Sequence, residues 1–250
     1  MSQPSEITVV DGDALSPIDT PVAGLTAHCA LSTGQATVGR CSVDAASSAD
    51  WYRHPDREAY GFVHDGPLEL RYRSTDGSTE SIEAGETDCV RVPAGVDHQL
   101  AALDGGPAVV LIALVGSGPL FEAVDEPEST TTAPQIASRD AFVETAQLAN
   151  LTRLTPFPDA PVQQVVGHAD GEMASEWHHH GDNDVFGHLI AGEGYVDDGS
   201  AEPPVATAGS WFHIPAGVVH RDVNPQDAPQ EYVLWLTGSE PRLVSVEGPS

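Results

Sequence analysis

The sequence predicts an all-β protein built from two tandem copies of one barrel or sandwich domain. Glycine and proline, with 24 and 20 residues, are spread along the chain in short groups. Between them lie runs of about five to eight residues rich in Val, Leu, Thr and aromatic residues, a pattern typical of short strands and hairpins. Helical periodicity is nearly absent, and only residues 140–149 fit either about two helical turns or a strand. The third observation is an internal repeat, which sets the number of domains.

The two copies are recognised by landmarks that recur in the same order. The shift between matching landmarks is 126 residues early in the copy and 122 residues late, so the first copy carries a small insertion. The matching pairs are Leu25 and Leu151, Trp51 and Trp177, His54 and His180, Glu58 and Asp184, Tyr60 and Phe186, Gly61 and Gly187, and Pro93-Ala-Gly-Val-Asp-His98 and Pro215-Ala-Gly-Val-Val-His220.

The predicted domain boundaries follow from the repeat and from composition. Residues 122–138 are poor in apolar side chains and rich in Pro, Thr and acidic residues, which is typical of a linker. We therefore expect an N-terminal domain over 1–121 and a C-terminal domain over 139–250.

The charge of the chain excludes several classes of partner. With 10 basic and 38 acidic residues the formal net charge is −28, so a nucleic acid or an anionic membrane surface is not an expected partner. Every basic side chain is arginine, because the sequence contains no lysine. A coding bias explains this composition, and so does solubility in concentrated salt, where screening removes the self-repulsion; the second, halophilic interpretation is the one we favour.

Neither a membrane span nor secretion is indicated. No stretch approaches the ~20 apolar residues of a membrane helix, and the N-terminus lacks a basic region followed by an apolar run. The three cysteines, Cys29, Cys41 and Cys89, are widely spaced and form no CxxC pair. They suit core positions in a reducing compartment, so a cytoplasmic location is predicted.

A cluster of histidines in the second copy predicts a metal site. In a strand, alternation places His178 and His180 on one face and His179 on the other. Asp184 follows a Gly-Asp-Asn turn, and His220 comes from a separate hairpin. Three imidazoles and a carboxylate inside one barrel offer nitrogen and oxygen donors to one divalent first-row ion, namely Fe, Mn, Co, Ni, Cu or Zn. The alternative is a run of surface histidines unrelated to the hairpin.

These residues carry a family resemblance. Both copies resemble the paired motifs of the cupin superfamily, G(X)5HXH(X)3-4E(X)6G and G(X)5PXG(X)2H(X)3N. The second copy departs from the first motif in having Asp184 in place of glutamate and one extra residue before Gly192. It reads His178-x-His180-x3-Asp184-x7-Gly192, then Gly209-x5-Pro215-x-Gly217-x2-His220-x3-Asn224.

The resemblance implies a bicupin, that is, two tandem jelly-roll β-barrels, each able to hold one metal ion. In the first copy the matching ligands are His54, Glu58 and His98, with Tyr52 in place of the leading histidine. This set resembles the two-histidine, one-carboxylate triad of non-haem iron oxygenases. A degenerate first barrel that only supports the second is the alternative. Cupin barrels frequently associate through sheet edges, so a homodimer is possible.

Strand alternation extends the candidate site beyond the ligands. Counting from Asp184 places Phe186 and His188 on the same face, and we therefore assign Asp184 and His188 as candidate acid–base groups. Counting from Glu58 in the same way predicts further pocket residues in the first barrel. The complete set of predicted pocket residues is Phe186, Tyr52, Tyr60 and Phe62.

Three functions are compatible with these patterns. The first is a metal-dependent dioxygenase of the quercetinase type acting on a small organic substrate. The second is a non-redox metal-dependent isomerase, epimerase or lyase, and the third is a small-molecule-binding cupin without catalytic activity. The fold alone does not separate them, because cupins carry many reactions.

Overall fold

The computed structural model is almost entirely β-structure, as predicted. It describes residues 6–103, 105–148, 150–240 and 242–249. Within those ranges, helical structure is confined to two short 3₁₀ turns at Gly12–Ala14 and Arg139–Ala141, and none is long or apolar enough to span a bilayer. The sequence of segment 140–149 was compatible with either a helix or a strand, and the structure forms a strand over Val143–Leu148.

Residues Ser16–Ala141 form one compact unit, the N-terminal barrel. It consists of a seven-stranded sheet, in the order β13-β9-β6-β11-β4-β3-β2, and a five-stranded sheet, in the order β12-β5-β10-β7-β8. The strands are β2 (Ser16–Ile18), β3 (Thr26–Ser32), β4 (Ala36–Val43), β5 (Tyr52–Arg53), β6 (Arg57–Asp65), β7 (Leu68–Arg73), β8 (Thr79–Ala84), β9 (Cys89–Val92), β10 (His98–Ala102), β11 (Ala108–Gly116), β12 (Glu122–Ala123) and β13 (Gln135–Ala137).

Residues Met1–Leu15 and Phe142–Ser250 form the second unit, the C-terminal barrel. Its sheets have the orders β1-β22-β19-β24-β16-β15-β14, β17-β23-β20-β21 and β18-β25. The strands are β1 (Thr8–Val10), β14 (Val143–Leu148), β15 (Leu151–Thr155), β16 (Gln163–Ala169), β17 (Met173–Ala174), β18 (His178–His179), β19 (Val185–Ala191), β20 (Glu193–Asp197), β21 (Val205–Thr207), β22 (Trp211–Ile214), β23 (Arg221–Asn224), β24 (Gln230–Leu236) and β25 (Val244–Ser245).

The units divide the chain differently from the predicted domains at two places. Strand β1, from the start of the chain, pairs with β22 of the C-terminal barrel. The predicted linker 122–138 contributes β12 and β13 to the N-terminal barrel, where they pair with β5 and β9. A composition poor in apolar residues does not prevent edge strands, because their stability comes from backbone hydrogen bonds to a neighbour.

Alternation along the strands builds each core. Strand β7 buries Leu68, Leu70 and Tyr72 and turns Glu69, Arg71 and Arg73 towards the outside. This is the period of two expected of a sheet with one packed face. The buried side chains of β7 join those of the facing sheet in one apolar cluster, so the inner faces of the two sheets form the lumen of the barrel.

Candidate metal centre

Three predicted ligands meet inside the C-terminal barrel. His178, His180 and His220 are buried, and their ligand nitrogens all lie within 4.8 Å of one another. The ring centroids are 4.4 Å apart for His178 and His220, 5.0 Å for His178 and His180, and 5.1 Å for His180 and His220. This is the one such group of histidine, cysteine or carboxylate side chains within the ranges that the structure describes.

The backbone places the three rings together. His178 and His220 form a two-way bridge, with N–H···O distances of 2.8 and 2.9 Å. Residues directly opposite in an antiparallel pair project to the same side, so both rings enter the lumen. His180 is two residues further along, which returns it to the same face. Residues far apart in the sequence thus become neighbours through one bridge.

Each ring is held by a hydrogen bond from its Nδ1 to a backbone carbonyl. With the proton on Nδ1, the lone pair of a neutral imidazole lies on Nε2, which is the atom turned towards the other two rings. The Nε2 atoms of His178 and His220 are buried and accept no hydrogen bond from any described residue. Buried acceptors without partners are unfavourable, and a shared cation would satisfy them. The carbonyls belong to Glu176 (2.9 Å), Arg242 (2.7 Å) and Val218 (2.9 Å).

Burial keeps two of these ligands uncharged at neutral pH. Burial, together with the nearby charges of Arg153 and His220, lowers the pKa of His180 to about 3. Burial likewise lowers the pKa of His220 to about 4. Metal ions bind the neutral imidazole, so these two histidines can bind an ion without losing a proton first. The donor set, all nitrogen and without thiolate, fits a divalent first-row ion.

Asp184 does not join this group. Its Oδ1 accepts hydrogen bonds from Nε2 of His213, at 3.1 Å, and from the backbone N–H of Ala216, also at 3.1 Å. The carboxylate is fully buried there. The turn between His180 and Asp184 redirects the chain, so the alternation of β18 does not continue across it. The centre therefore has three histidines, and the predicted ligand and acid–base roles of Asp184 are corrected.

His188 and Phe186 lie on the opposite face of β19 from the lumen. His188 packs on Trp211 with ring centroids 4.5 Å apart, and Phe186 stacks on His213 at 4.8 Å. The lumen-facing residues of β19 are their odd-numbered neighbours, such as Val185. The prediction counted from Asp184 as if it faced the lumen, which shifted every later position by one. The acid–base role of His188 and the pocket role of Phe186 are therefore not supported.

The lumen beside the three histidines contains a partly open pocket. His180, Arg153, Asp222 and Tyr232 line it together with aliphatic side chains. Asp222 Oδ2 lies 3.9 Å from His178 Nε2 and 3.6 Å from a terminal nitrogen of Arg153. Sequence reasoning missed Arg153, Asp222 and Tyr232. Alternation from His220 already places Asp222 on the ligand face, but no motif pointed to Arg153.

The N-terminal barrel repeats the arrangement with one ligand replaced. His98 pairs with Tyr52 across β10 and β5, as His220 does with His178. His54 Nδ1 bonds to the carbonyl of Leu120, and His98 Nδ1 bonds to that of Val96 at 2.9 Å. The ring centroids of His54 and His98 are 5.3 Å apart. The duplication therefore extends to the backbone acceptors that orient the rings.

Glu58 is not available as a ligand in this barrel. It lies on the outer face of β6 and accepts a hydrogen bond from Arg91 Nε at 2.6 Å. Tyr60 and Phe62 share that face, while Ala59 faces the lumen. The predicted carboxylate ligand and these two pocket residues are corrected for the same reason as in β19.

Tyr52 does line the lumen of this barrel, where the pocket is smaller than that of the C-terminal barrel. Burial raises its pKa well above the ordinary value, and the nearby Cys41 raises it further, so the phenol stays protonated. A neutral phenol is a poor replacement for an imidazole. We therefore expect the metal in the C-terminal barrel.

The two buried histidines of the N-terminal barrel predict acid lability. Burial lowers the pKa of His54 to about 3, with a further contribution from His98, and burial lowers that of His98 to about 4. Below pH 6.5 the unfolded chain binds protons that the folded barrel does not. Stability is thus complete above about pH 6.5 and falls towards pH 4, by at most about 1.4 kcal/mol per histidine and pH unit.

The measurement is the melting temperature between pH 4.5 and 7.5. The variant H98L is expected to flatten this dependence, whereas H64Q, which alters an exposed histidine, should leave it as in the wild type. An H98L profile as steep as that of the wild type would contradict the assignment.

Part of this sequence, and its fold, are similar to those of known proteins. Residues 165–237 match a family model described as a cupin domain. A search of curated proteins gives no match. The fold is similar to that of a formate complex of Lactobacillus farciminis oxalate decarboxylase, with a TM-score of 0.73 and 11% identity over 98% of this chain and 90% of that chain.

The oxalate decarboxylase of Bacillus subtilis is also similar. Its structure at pH 4.6 has a TM-score of 0.73 and 12% identity, covering 98% of this chain and 80% of that one. A structure of the same enzyme concerned with its Mn(II) centres has a TM-score of 0.72 and 11% identity, covering 98% and 81%. At these identities the comparison shows the fold alone.

Proposed function

We propose that this chain, of which residues 165–237 match a cupin domain and whose fold is similar to that of oxalate decarboxylases, is a metal-dependent enzyme whose C-terminal barrel carries out non-redox lyase chemistry on a small organic substrate. The observation that carries the proposal is the convergence of three buried imidazoles, each fixed through Nδ1 with its Nε2 facing the others. A bound divalent ion would supply a Lewis acid that polarises an oxygen of the substrate.

The residues around the centre support a lyase over a dioxygenase. The dioxygenase hypothesis relied on an aromatic pocket with Phe186 and on proton transfer by Asp184 or His188. All three lie on the other side of β19 or at its start, away from the lumen. The similar structures named above are of decarboxylases, and one concerns Mn(II) centres, which also favours the lyase.

Asp222 is the residue we assign to proton transfer. Burial raises its pKa, but His178, His220 and Arg153 outweigh this and hold the pKa below its ordinary value, so the group is an acceptor at neutral pH. Its position 3.9 Å from His178 Nε2 places the carboxylate beside the ligand atoms. A proton accepted there can be passed to the departing fragment, as an elimination requires.

Elemental analysis and anaerobic turnover test this proposal. We expect about one first-row ion per chain and equal turnover of a panel of small organic acids and carbonyl compounds with and without dioxygen. Oxygen consumption in step with turnover would instead establish the dioxygenase, and turnover that survives complete removal of metal would contradict the metal dependence. Ligand binding without any turnover would identify a binding protein.

A further inference from the structure

The duplication provides an internal reference for the lumen of the C-terminal barrel. Equivalent strands pair in the same register in both barrels, so each lumen position has a counterpart. Four neighbouring positions are small or apolar in the N-terminal barrel and differ in the C-terminal barrel. The pairs are Ala27 and Arg153, Cys41 and Gly167, Leu100 and Asp222, and Val110 and Tyr232.

These four differences form one connected group. Gly167 pairs with Arg153 on one side and with Tyr232 on the other. A Cβ at Gly167 would lie 2.0 Å from Cε2 of Tyr232, so the missing side chain makes room for that ring. The ring in turn brings its hydroxyl to Arg153. One barrel has thus acquired a polar group that the other lacks, while both keep the histidine framework.

Arg153 has more donors than the barrel satisfies. The residue is 5% exposed. Its terminal nitrogen lies 3.6 Å from Asp222 Oδ2, beyond hydrogen-bond distance, and its Nε has no hydrogen-bond partner in the described part of the chain. A guanidinium presents five N–H donors in a planar fork that matches a carboxylate. A buried cation with unused donors indicates an anionic ligand.

The charge balance of the lumen also indicates an anionic ligand. A divalent ion and Arg153 are both positive, and among the described residues that line this pocket Asp222 is the one carboxylate. The lumen would therefore hold an excess of positive charge inside a protein whose net charge is −28. An anionic ligand restores the balance, and low-dielectric walls strengthen its attraction.

Most of the remaining lining is apolar. Aliphatic side chains from five strands line the pocket together with Arg153, and the pocket is larger than that of the N-terminal barrel. Such a wall gains energy from an apolar body and none from a small, fully polar dianion. The residues are Leu151, Val185, Leu189, Val196, Ile214 and Leu234.

We propose that the C-terminal lumen takes a monocarboxylic acid with an apolar body, whose carboxylate is bound by Arg153 beside the three histidines. The inference rests on the proposed function for the presence of the ion. It adds the substrate class and makes Arg153 the residue that determines specificity. Tyr232 and Gly167 position the guanidinium.

Calorimetric titration of the metal-loaded, full-length protein tests the substrate class without a turnover assay. Hexanoate, hexanamide and acetate are the probes. Hexanoate is expected to bind at least about 30-fold more tightly than hexanamide, because the amide cannot pair with Arg153 as an anion. It should also bind at least about 50-fold more tightly than acetate, since each buried methylene adds a factor of about three to four.

Variants assign the effect to Arg153. R153Q should weaken hexanoate binding at least about 30-fold with unchanged metal content, and R40Q, which removes an exposed arginine of β4, should match the wild type. The double variant R153A/D222L carries the apolar pattern of the N-terminal barrel and leaves no unpaired charge, so it answers the question if R153Q does not fold. It should lose hexanoate binding to the same extent.

The outcomes separate the two proposals. Equal affinity for hexanoate and hexanamide, equal affinity for hexanoate and acetate, or undiminished hexanoate binding in a folded R153Q or R153A/D222L protein would each overturn the inference. A wild-type protein that binds no metal, yet binds hexanoate through Arg153, would contradict the proposed function while upholding the ligand class.

Discussion

Replacement of His178 by alanine is expected to remove the metal from the purified protein and to lower turnover more than about 100-fold. Loss of a group that only orients a ligand costs about 10- to 100-fold in affinity or activity, and His178 is itself one of three donors. The same result is expected for H180A and H220A, because two imidazoles cannot enclose the ion. Metal content per chain and turnover are measured on the same samples.

Matched controls come from the same histidine-rich segment and from the other barrel. His179 lies between two of the donors but turns away from them, and its Nδ1 accepts a hydrogen bond from the N–H of Gly181 at 3.0 Å. H179A should keep its metal and lose only a local bond, worth about 1 kcal/mol. H98A, in the N-terminal barrel, should also keep about one ion per chain. Loss of metal in H98A but not in H178A would place the ion in the wrong barrel for this proposal.

The duplication and the ligand triad could be read from the sequence for a physical reason. Ligands and turn glycines tolerate few other residue types, so they remain at fixed separations in both copies. The pair His178 and His220 illustrates this. Two histidines 42 positions apart could be matched because each had a counterpart, Tyr52 and His98, at the expected place in the other copy.

Which side chains point into the lumen after the first two histidines could not be predicted by counting alternate residues. Alternation holds only within one continuous strand, and the turn before Asp184 ends the strand that carries His178. The same error arose in the first copy, where Glu58 faces Arg91 rather than the lumen. Because the side-chain period is two, a single misplaced reference residue reverses every later assignment.

Arg153 was missed although a signal existed. The match between Leu25 and Leu151 makes Ala27 and Arg153 equivalent positions of the two copies. A difference between alanine and arginine at a buried barrel position is unusual. Residues that the two copies share indicate the common fold. Residues that differ between the copies at lumen positions indicate the function of one copy. These differences can be identified only once the strand register is known.

Substitution of Gly39 by alanine is expected to destabilise the N-terminal barrel by about 3 kcal/mol, the upper range for adding a methyl group to a packed site. Gly39 lies inside β4, opposite Cys29, next to an irregularity in the pairing of β3. A Cβ there would be 1.9 Å from the backbone carbonyl oxygen of His28. Backbone cannot move aside as a flexible side chain can, so the strand pair itself must shift.

The C-terminal barrel shows why this glycine is specific to one copy. Val165 stands at the position equivalent to Gly39, and the pairing of β15 with β16 ends at Leu154 and Val166, before that position is reached. Glycine is thus required where the backbone of β3 approaches β4 beside the bulge, and not by the barrel as such. The melting temperature of G39A should fall by about 6–12 °C. G34A, where a Cβ meets no atom within 4 Å, should melt within about 2 °C of the wild type. Equal melting of G39A and G34A would show that β3 has no bulge against Gly39 in solution.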